Sequence, residues 1–232
     1  MVRHPIMPYA DRSPRAARFV LMLSALAPMA ALAADVAGEA AKLSADVPHG
    51  MVLYLKHCAG CHGRQAGGDG PRVIPALAGQ RESYLIAQLA RFIDGGRPGS
   101  ELHGAAMHEA LAPPDVNRAQ ALRDLGAWLS RAAPNNNPER GSGEALAAGK
   151  RAYANGCAGC HGADAAGSEQ PAVPALASQH YGYLLAQLRS FSAGRLPHAA
   201  GLAPAIVGTG EQQQAVADYL SRLPQPRPPQ AE

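Results

Sequence analysis

The stretch Cys58-Ala-Gly-Cys-His-Gly63 occurs twice in this chain of 232 residues. The second copy spans Cys157–Gly162, and together the two use all four cysteines. Cys-x-x-Cys-His is the signature of covalent haem attachment, in which two thiols form thioethers with the haem and the adjacent histidine binds the iron. We therefore predict two covalently bound haem c groups, attached and ligated by these residues: Cys58, Cys61 and His62, and Cys157, Cys160 and His161.

Two other kinds of site also use closely spaced cysteines. A zinc site can use two Cys-x-x-Cys pairs, but it does not need a histidine directly after each pair. A thioredoxin-type redox pair lies beside a βαβ pattern, which this sequence lacks. Haem attachment accounts for more of the pattern than either alternative.

The N-terminal segment has the features of a secretory signal peptide. Four arginines precede an apolar run from Phe19 to Ala34, which ends in the small-residue stretch Ala-Ala-Leu-Ala-Ala. This order predicts cleavage after Ala33 or Ala34 and export to the periplasm. An uncleaved anchor is the alternative, but Pro28 interrupts the run and it is short for a spanning helix. We expect no transmembrane segment after cleavage.

The charge balance changes once this segment is set aside. Residues 1–34 hold four arginines and one aspartate, so 17 of the 21 basic and 17 of the 18 acidic residues remain. The isoelectric point near 8.8 therefore comes largely from the signal peptide, and nucleic-acid binding has no support.

The chain contains an internal duplication. A shift of 99 residues places Cys58–Gly95 on Cys157–Gly194 with 20 identities in 38 positions. A stretch with two prolines, Pro134–Pro138, separates the copies. We predict a signal peptide at 1–34, a first domain at 35–131, a linker at 132–143, a second domain at 144–224 and a disordered tail at 225–232.

Each half is predicted to contain three helices joined by long loops, with no alternating strand pattern. In chain order the predicted helices run from Gly50 into Cys58, Glu82–Ile93, Asp115–Ala132, Gly143 into Cys157, Tyr181–Ala193 and Thr209–Leu223. Thr209 with Gln212 fits a capping box at the start of the last helix. Such small helical units bury a thin core, so a covalent haem would supply much of the missing apolar bulk.

The order of these segments resembles the dihaem cytochrome c4 family, which consists of exported proteins made of two fused class I cytochrome c domains. Its markers occur in both halves: Cys-x-x-Cys-His, then Pro-Ala-Leu-Ala-(Gly/Ser)-Gln, then Tyr-Leu-x-x-Gln-Leu-x-x-Phe. The resemblance covers nearly all of the chain after residue 34. It implies an all-α fold, a tandem duplication of two class I cytochrome c domains, each wrapped around one covalent haem.

The resemblance also implies contacts beside each haem. A proline carbonyl should accept a hydrogen bond from the proximal histidine and fix its tautomer. That contact carries over to Pro75 for His62 and to Pro174 for His161, although either proline could instead only end a loop. The first and last helices of each domain should cross at a glycine and an aromatic pair: Gly50 and Tyr54 with Trp128, and Gly149 and Tyr153 with Tyr219.

The family takes its sixth iron ligand from a methionine before the third helix. In the first half Met107 occupies that loop, and the resemblance therefore implies Met107 as ligand, with His103 and His108 as competitors. Apart from Met51 in the first helix, no other methionine follows residue 34.

The second half departs from the family because it contains no methionine. An ungapped alignment running back from Tyr219 on Trp128 places His198 on Met107. We predict His198 as sixth ligand of the second haem. A surface histidine beside a five-coordinate or water-bound haem is the alternative, and His180 fits the position less well.

These features favour a periplasmic carrier of single electrons rather than an enzyme. The resemblance implies redox partner proteins: a membrane donor complex, and a terminal acceptor such as a haem-copper oxidase. The alternative is a cytochrome subunit of a dehydrogenase, or a catalytic dihaem oxidoreductase that uses the second haem as its working centre. A haem-based sensor has less support, since no signalling domain follows.

Overall fold

The computed structural model describes residues 36–97, 109–111, 116–196, 198 and 208–225. Within these residues the fold is all-α, with two isolated β-bridges and no strand. A helical stretch at residues 36–40 comes first. The helices that follow it are α1 (Val47–His57), α2 (Ala59–His62), α3 (Glu82–Ile93), α4 (Arg118–Arg131), α5 (Leu146–Gly156), α6 (Ala158–His161), α7 (Tyr181–Ser192) and α8 (Gly210–Arg222).

Capping side chains explain why α1 and α4 begin at other residues than predicted. Helix α1 begins three residues before Gly50, because the Asp46 carboxylate accepts the His49 N–H at 3.0 Å. Helix α4 begins at Arg118 rather than Asp115, since the Asn117 side chain accepts the Gln120 N–H at 3.2 Å. An N-cap side chain satisfies backbone N–H groups that the first turn leaves free.

In the second domain, α5 begins at Leu146, three residues after the predicted Gly143. The predicted capping box at the start of α8 is confirmed. The Thr209 N–H donates to the Gln212 side-chain oxygen at 2.8 Å, so α8 itself begins at Gly210.

The first and last helices of each domain cross in close contact at a glycine. A Cβ atom on Gly50 would lie 2.0 Å from the Asp124 carbonyl oxygen, and one on Gly149 would lie 2.0 Å from the Ala215 carbonyl oxygen. Carbon and oxygen atoms cannot approach so closely, so only glycine permits either crossing. The predicted glycine contact therefore occurs in both domains.

Aromatic rings pack beside each crossing. The centroids of Tyr54 and Trp128 are 4.5 Å apart, and those of Tyr153 and Tyr219 are 5.9 Å apart. Both Tyr54 and Tyr153 are almost completely buried. The Tyr54 hydroxyl donates to the Gly63 carbonyl at 2.6 Å, and Tyr153 repeats this contact with Gly162 at 2.5 Å. These bonds tie the crossing to the end of each Cys-x-x-Cys-His motif.

The two domains contact each other through matched hydrogen bonds. Arg81 donates from Nε to the Ala166 carbonyl at 2.6 Å. At the position 99 residues later, the His180 Nε2 lies 2.8 Å from the Gly67 carbonyl. Residues 67 and 166 are also 99 positions apart, so the two contacts are related by the duplication.

The linker takes part in this contact. Glu139 accepts the Gly182 N–H at 2.9 Å at the start of α7, as Glu169 accepts the Ser83 N–H at 2.9 Å at the start of α3. Gly70 occupies the position equivalent to Glu169, and a Cβ there would lie 2.4 Å from the Glu139 Cβ. The first domain has a glycine at the position equivalent to Glu169, so Glu139 of the linker supplies the carboxylate at the start of α7 instead.

Candidate haem-binding sites

Each Cys-x-x-Cys-His motif forms a short helix of four residues after a break at its first cysteine. The N–H groups of Cys61 and His62 both donate to the Cys58 carbonyl, at 3.2 and 3.0 Å. Cys157, Cys160 and His161 have the same geometry. This turn holds two thiols and one imidazole together, as three attachment points to one haem require.

The thiols of the two motifs differ in exposure in the same way. Cys58 and Cys157 are half-buried, whereas Cys61 and Cys160 are exposed. Burial, and then the neighbouring Cys61, raise the pKa of the Cys58 thiol to about 11. Burial also raises the pKa of Cys157. All four cysteines are free of disulfides and therefore available for thioether bonds.

A proline carbonyl orients each motif histidine. The His62 Nδ1 lies 3.0 Å from the Pro75 carbonyl oxygen, and the His161 Nδ1 lies 3.1 Å from that of Pro174. Both imidazoles are buried, and burial lowers the pKa of His161. In a neutral imidazole that donates from Nδ1, Nε2 carries the lone pair that binds a metal ion.

The cavity beside His62 is lined by apolar side chains and by the polar side chains of Arg64 and Gln65. Its volume is about 570 Å³, and its lining includes Met51, Leu55 and Trp128 as well as His62 and Gly63. Met51 is 41 % exposed although it lies on this wall. A haem attached to Cys58 and Cys61 would cover these apolar side chains.

In the second domain His198 faces the motif histidine. The ring centroids of His161 and His198 are 6.2 Å apart. The Phe191 ring packs edge-on against His198 at 4.9 Å. His198 is exposed, but partial burial lowers the pKa of its imidazole.

The other predicted iron ligands and their competitors either lie outside the described residues or bond elsewhere. Met107 and its competitors His103 and His108 lie outside the described residues. His180 is buried at the domain interface, where its Nδ1 accepts the Glu139 N–H at 3.0 Å and its Nε2 contacts the Gly67 carbonyl. Both ring nitrogens of His180 are therefore engaged away from either motif.

The arrangement of the cysteines does not fit a shared zinc site. Within the described ranges, which include all four cysteines, no group of three His, Cys, Asp or Glu side chains could hold a metal ion. Each Cys-x-x-Cys pair lies in its own domain.

No helix in this described part of the chain is long and apolar enough to span a membrane.

Two glutamines beside the sites were not among the predicted site residues. Gln80 and Gln179 end the repeated Pro-Ala-Leu-Ala-x-Gln segment, so the repeat itself was the available signal. Both side chains are buried and bond to the backbone of the opposite domain. Their contacts reach the peptides that orient His62 and His161.

These two sites define a protein with two covalent haems, one in each of two similar helical domains. The family model "Cytochrome c" matches residues 47–132 and 146–224. The chain is 32% identical over 148 residues to cytochrome c4 of Azotobacter vinelandii, covering 59% of this chain and 68% of that protein. It is 33% identical over 179 residues to the thiosulfate dehydrogenase electron acceptor of Thiomonas intermedia (strain K12), covering 72% and 78%.

A solved structure supports the same assignment. Reduced recombinant cytochrome c4 from Pseudomonas stutzeri matches with a TM-score of 0.63 and 25% identity, over 78% of this chain and all of that one. The chain belongs to the cytochrome c family, in its dihaem cytochrome c4-like group, and carries two covalently bound haem c groups. The predicted fold class and cofactors are confirmed, and the chain is a dihaem electron carrier.

Proposed function

We propose that this protein is a periplasmic carrier that moves single electrons between a respiratory donor complex and a terminal acceptor such as a haem-copper oxidase. The observation that carries this proposal is the pair of similar haem sites in domains that hydrogen-bond directly to each other. Haem, when bound, supplies the one-electron chemistry, and the protein tunes it through ligands, burial and hydrogen bonds.

The axial ligands in this proposal are His62 and Met107 for the first haem and His161 and His198 for the second. The spacing of the last two residues supports the second pair. A metal–imidazole bond is about 2 Å long, so two imidazoles on opposite sides of one metal ion have centroids roughly 6 Å apart. The centroids of His161 and His198 are 6.2 Å apart. The assignment of Met107 depends on its position in the sequence.

Periplasmic location rests in this proposal on the predicted signal peptide. The test is the distribution of haem-stained protein between periplasmic and cytoplasmic fractions. Recovery in the cytoplasm would contradict the proposal.

Electron transfer to an oxidase can be tested directly. The fully reduced holoprotein is mixed in a stopped-flow instrument with membranes containing a haem-copper oxidase, and the α-band absorbance is followed in the presence of oxygen. We expect oxidation of both haems, inhibited by cyanide. If cyanide has no effect, or if the reduced protein consumes oxygen without membranes, the carrier proposal is wrong.

A second candidate donor is a thiosulfate dehydrogenase. This possibility rests on the 33% identity to a protein named as the electron acceptor of such an enzyme. The test mixes oxidised holoprotein with purified thiosulfate dehydrogenase and thiosulfate. Rapid haem reduction that depends on both components would support this donor. Reduction only by a quinol-oxidising membrane complex would favour the respiratory donor instead.

A further inference from the structure

The structure contains a pair of crossed contacts between the two domains, beside the prolines that orient the haem-binding histidines. The Gln179 side chain accepts the Ala76 N–H at 2.9 Å and donates to the Ala76 carbonyl at 2.9 Å. The Gln80 side chain accepts the Ala175 N–H at 2.7 Å and donates to the Ala175 carbonyl at 3.0 Å. Each glutamine therefore binds the backbone of the other domain.

The orientation of each carboxamide is fixed by these partners. A backbone N–H can only donate and a backbone carbonyl can only accept. A flipped carboxamide would place two donors against each other and two acceptors against each other. Because both glutamines are more than nine-tenths buried, water cannot readily relieve such a mismatch.

Each contact reaches the proximal histidine of the opposite domain through one peptide group. The Ala76 N–H and the Pro75 carbonyl belong to the same planar peptide. That carbonyl lies 3.0 Å from the His62 Nδ1, so the chain of bonds runs from His62 through one peptide to Gln179. The same chain runs from His161 through the Pro174–Ala175 peptide to Gln80.

Hydrogen bonds connected in this way polarise one another, by about 10–30% per bond. An acceptor on the Ala76 N–H pushes electron density toward the Pro75 oxygen, which then accepts more strongly from the His62 Nδ1–H. A more strongly hydrogen-bonded imidazole is a more basic iron ligand. A more basic ligand favours ferric iron and lowers the potential.

We propose that Gln179 and Gln80 are positioning residues that tune the haem of the opposite domain. Gln179 acts on the haem at Cys58 and Cys61, and Gln80 acts on the haem at Cys157 and Cys160. The two redox centres are thus linked by a pair of hydrogen-bonded relays that cross the interface. The proposal depends on the haems and their proximal histidines, and it is independent of the sixth ligands.

The test compares the potentials of both haems in the holoprotein with those of Gln179→Met and Gln80→Met. Methionine keeps the length of glutamine but cannot accept the N–H. We expect Gln179→Met to raise the potential of the first haem alone, and Gln80→Met that of the second alone. At a fixed applied potential the ferrous-to-ferric ratio should change about threefold to tenfold. Since a tenfold change corresponds to 59 mV for one electron, the reduction potential should shift by about 30–59 mV.

The hyperfine-shifted NMR signals of ferric haem identify which haem responds. Haem methyl resonances are assigned with Cys157→Ala/Cys160→Ala, which keeps only the first haem. The Nδ1 proton of the histidine opposite the substitution should shift, while that of the other histidine should not. A general loosening of the fold would not produce this crossed pattern.

The matched control is Glu169→Gln, which alters another interdomain contact without touching either proline peptide. Loss of this exposed negative charge can raise both potentials slightly, but it should not produce the crossed pattern. If Gln179→Met does not yield folded holoprotein, Gln80→Met tests the same relay on the second haem. Shifts confined to the haem of the substituted domain, equal shifts at both haems, or no shift would overturn the proposal.

Discussion

At the level of single residues, His198 as the proposed sixth ligand would give the two haem sites different chemistry. Its ring faces His161 at 6.2 Å, whereas the proposed counterpart in the first domain is a methionine. A thioether ligand favours ferrous iron and raises the potential, while a second imidazole favours ferric iron and lowers it. Axial ligands contribute to a span of about 0.8 V among haem proteins. We therefore expect the second haem to have the lower potential.

Substitution of His198 tests this assignment. His198→Met should raise the potential of the second haem and add a methionine–iron charge-transfer band in the near-infrared spectrum. His198→Ala should make the second haem high-spin and able to bind carbon monoxide when reduced.

Wild-type protein and His180→Ala serve as the reference and the control, because His180 bonds elsewhere. An unchanged spectrum in His198→Ala would show that His198 is not the ligand. Binding of carbon monoxide by the wild-type second haem would favour the catalytic alternative.

At the residue scale, the sequence predicts those site residues that lie close together in the chain. The Cys-x-x-Cys-His motif includes the thiols and the histidine within five positions, so no tertiary information is needed to find them. The relays through Gln80 and Gln179 are different, since each partner lies about 100 positions away in the other domain. The repeat marks both glutamines, but only the relative placement of the domains shows what they bind.

At the scale of elements, the glycine crossings determine how closely the helices pack. The first and last helices meet so tightly that a Cβ at Gly50 would overlap the Asp124 carbonyl. The core around this contact is rich in alanine and leucine. Close packing at the crossing therefore compensates for small core side chains and holds Tyr54 against Trp128 beside the haem cavity.

We expect Gly50→Ala to destabilise the first domain, because the new methyl group forces the helices apart. Overpacking of this kind costs about 1–3 kcal/mol. The measurement is thermal or denaturant unfolding of the holoprotein, followed by circular dichroism.

Gly38→Ala is the matched control, since Gly38 is helical and exposed and a Cβ there has no neighbour within 4 Å. It should be neutral or slightly stabilising, because alanine favours helix by about 0.5–1 kcal/mol over glycine. Equal stability of Gly50→Ala and wild type would contradict the crossing argument.

Helix positions were predictable from periodicity, whereas several helix ends were not. Helix α3 has the predicted bounds, Glu82–Ile93. Helices α1 and α4 differ because their starts depend on the capping side chains of Asp46 and Asn117. Such a side chain can cap only where the preceding loop brings it to the first turn, and the hydrophobic pattern does not contain that information.

At the scale of the whole molecule, the interface joins the two domains through backbone and buried side chains. Within the linker, Asn135 bonds to residues of both domains, and Glu139 bonds to His180 and Gly182 at the start of α7. Polar side chains such as these satisfy backbone groups at an interface without apolar packing. We therefore expect the two domains to move as one body.

Small-angle scattering of the holoprotein tests this expectation. One compact particle should account for the profile, with a single maximum in the pair-distance distribution. An extended profile with two separated maxima would show that the domains are tethered rather than packed. Changing ionic strength is the control, because the glutamine contacts are uncharged and should resist screening.

Removal of the second attachment site should affect one haem only. In Cys157→Ala/Cys160→Ala the intact mass should exceed that of the apoprotein by one haem instead of two. The first domain should keep its haem spectrum, since its core and motif lie within its own residues. Loss of both haems would mean that the domains do not acquire haem independently. Cys58→Ala/Cys61→Ala is the reciprocal variant.

The most direct test of the account is a spectropotentiometric titration of the wild-type holoprotein. We predict two one-electron steps of equal haem content, with the lower potential at the haem on Cys157 and Cys160. Both haems should stay low-spin throughout and should not bind carbon monoxide. A single step from one haem, or a lower-potential haem on Cys58 and Cys61, would contradict the account.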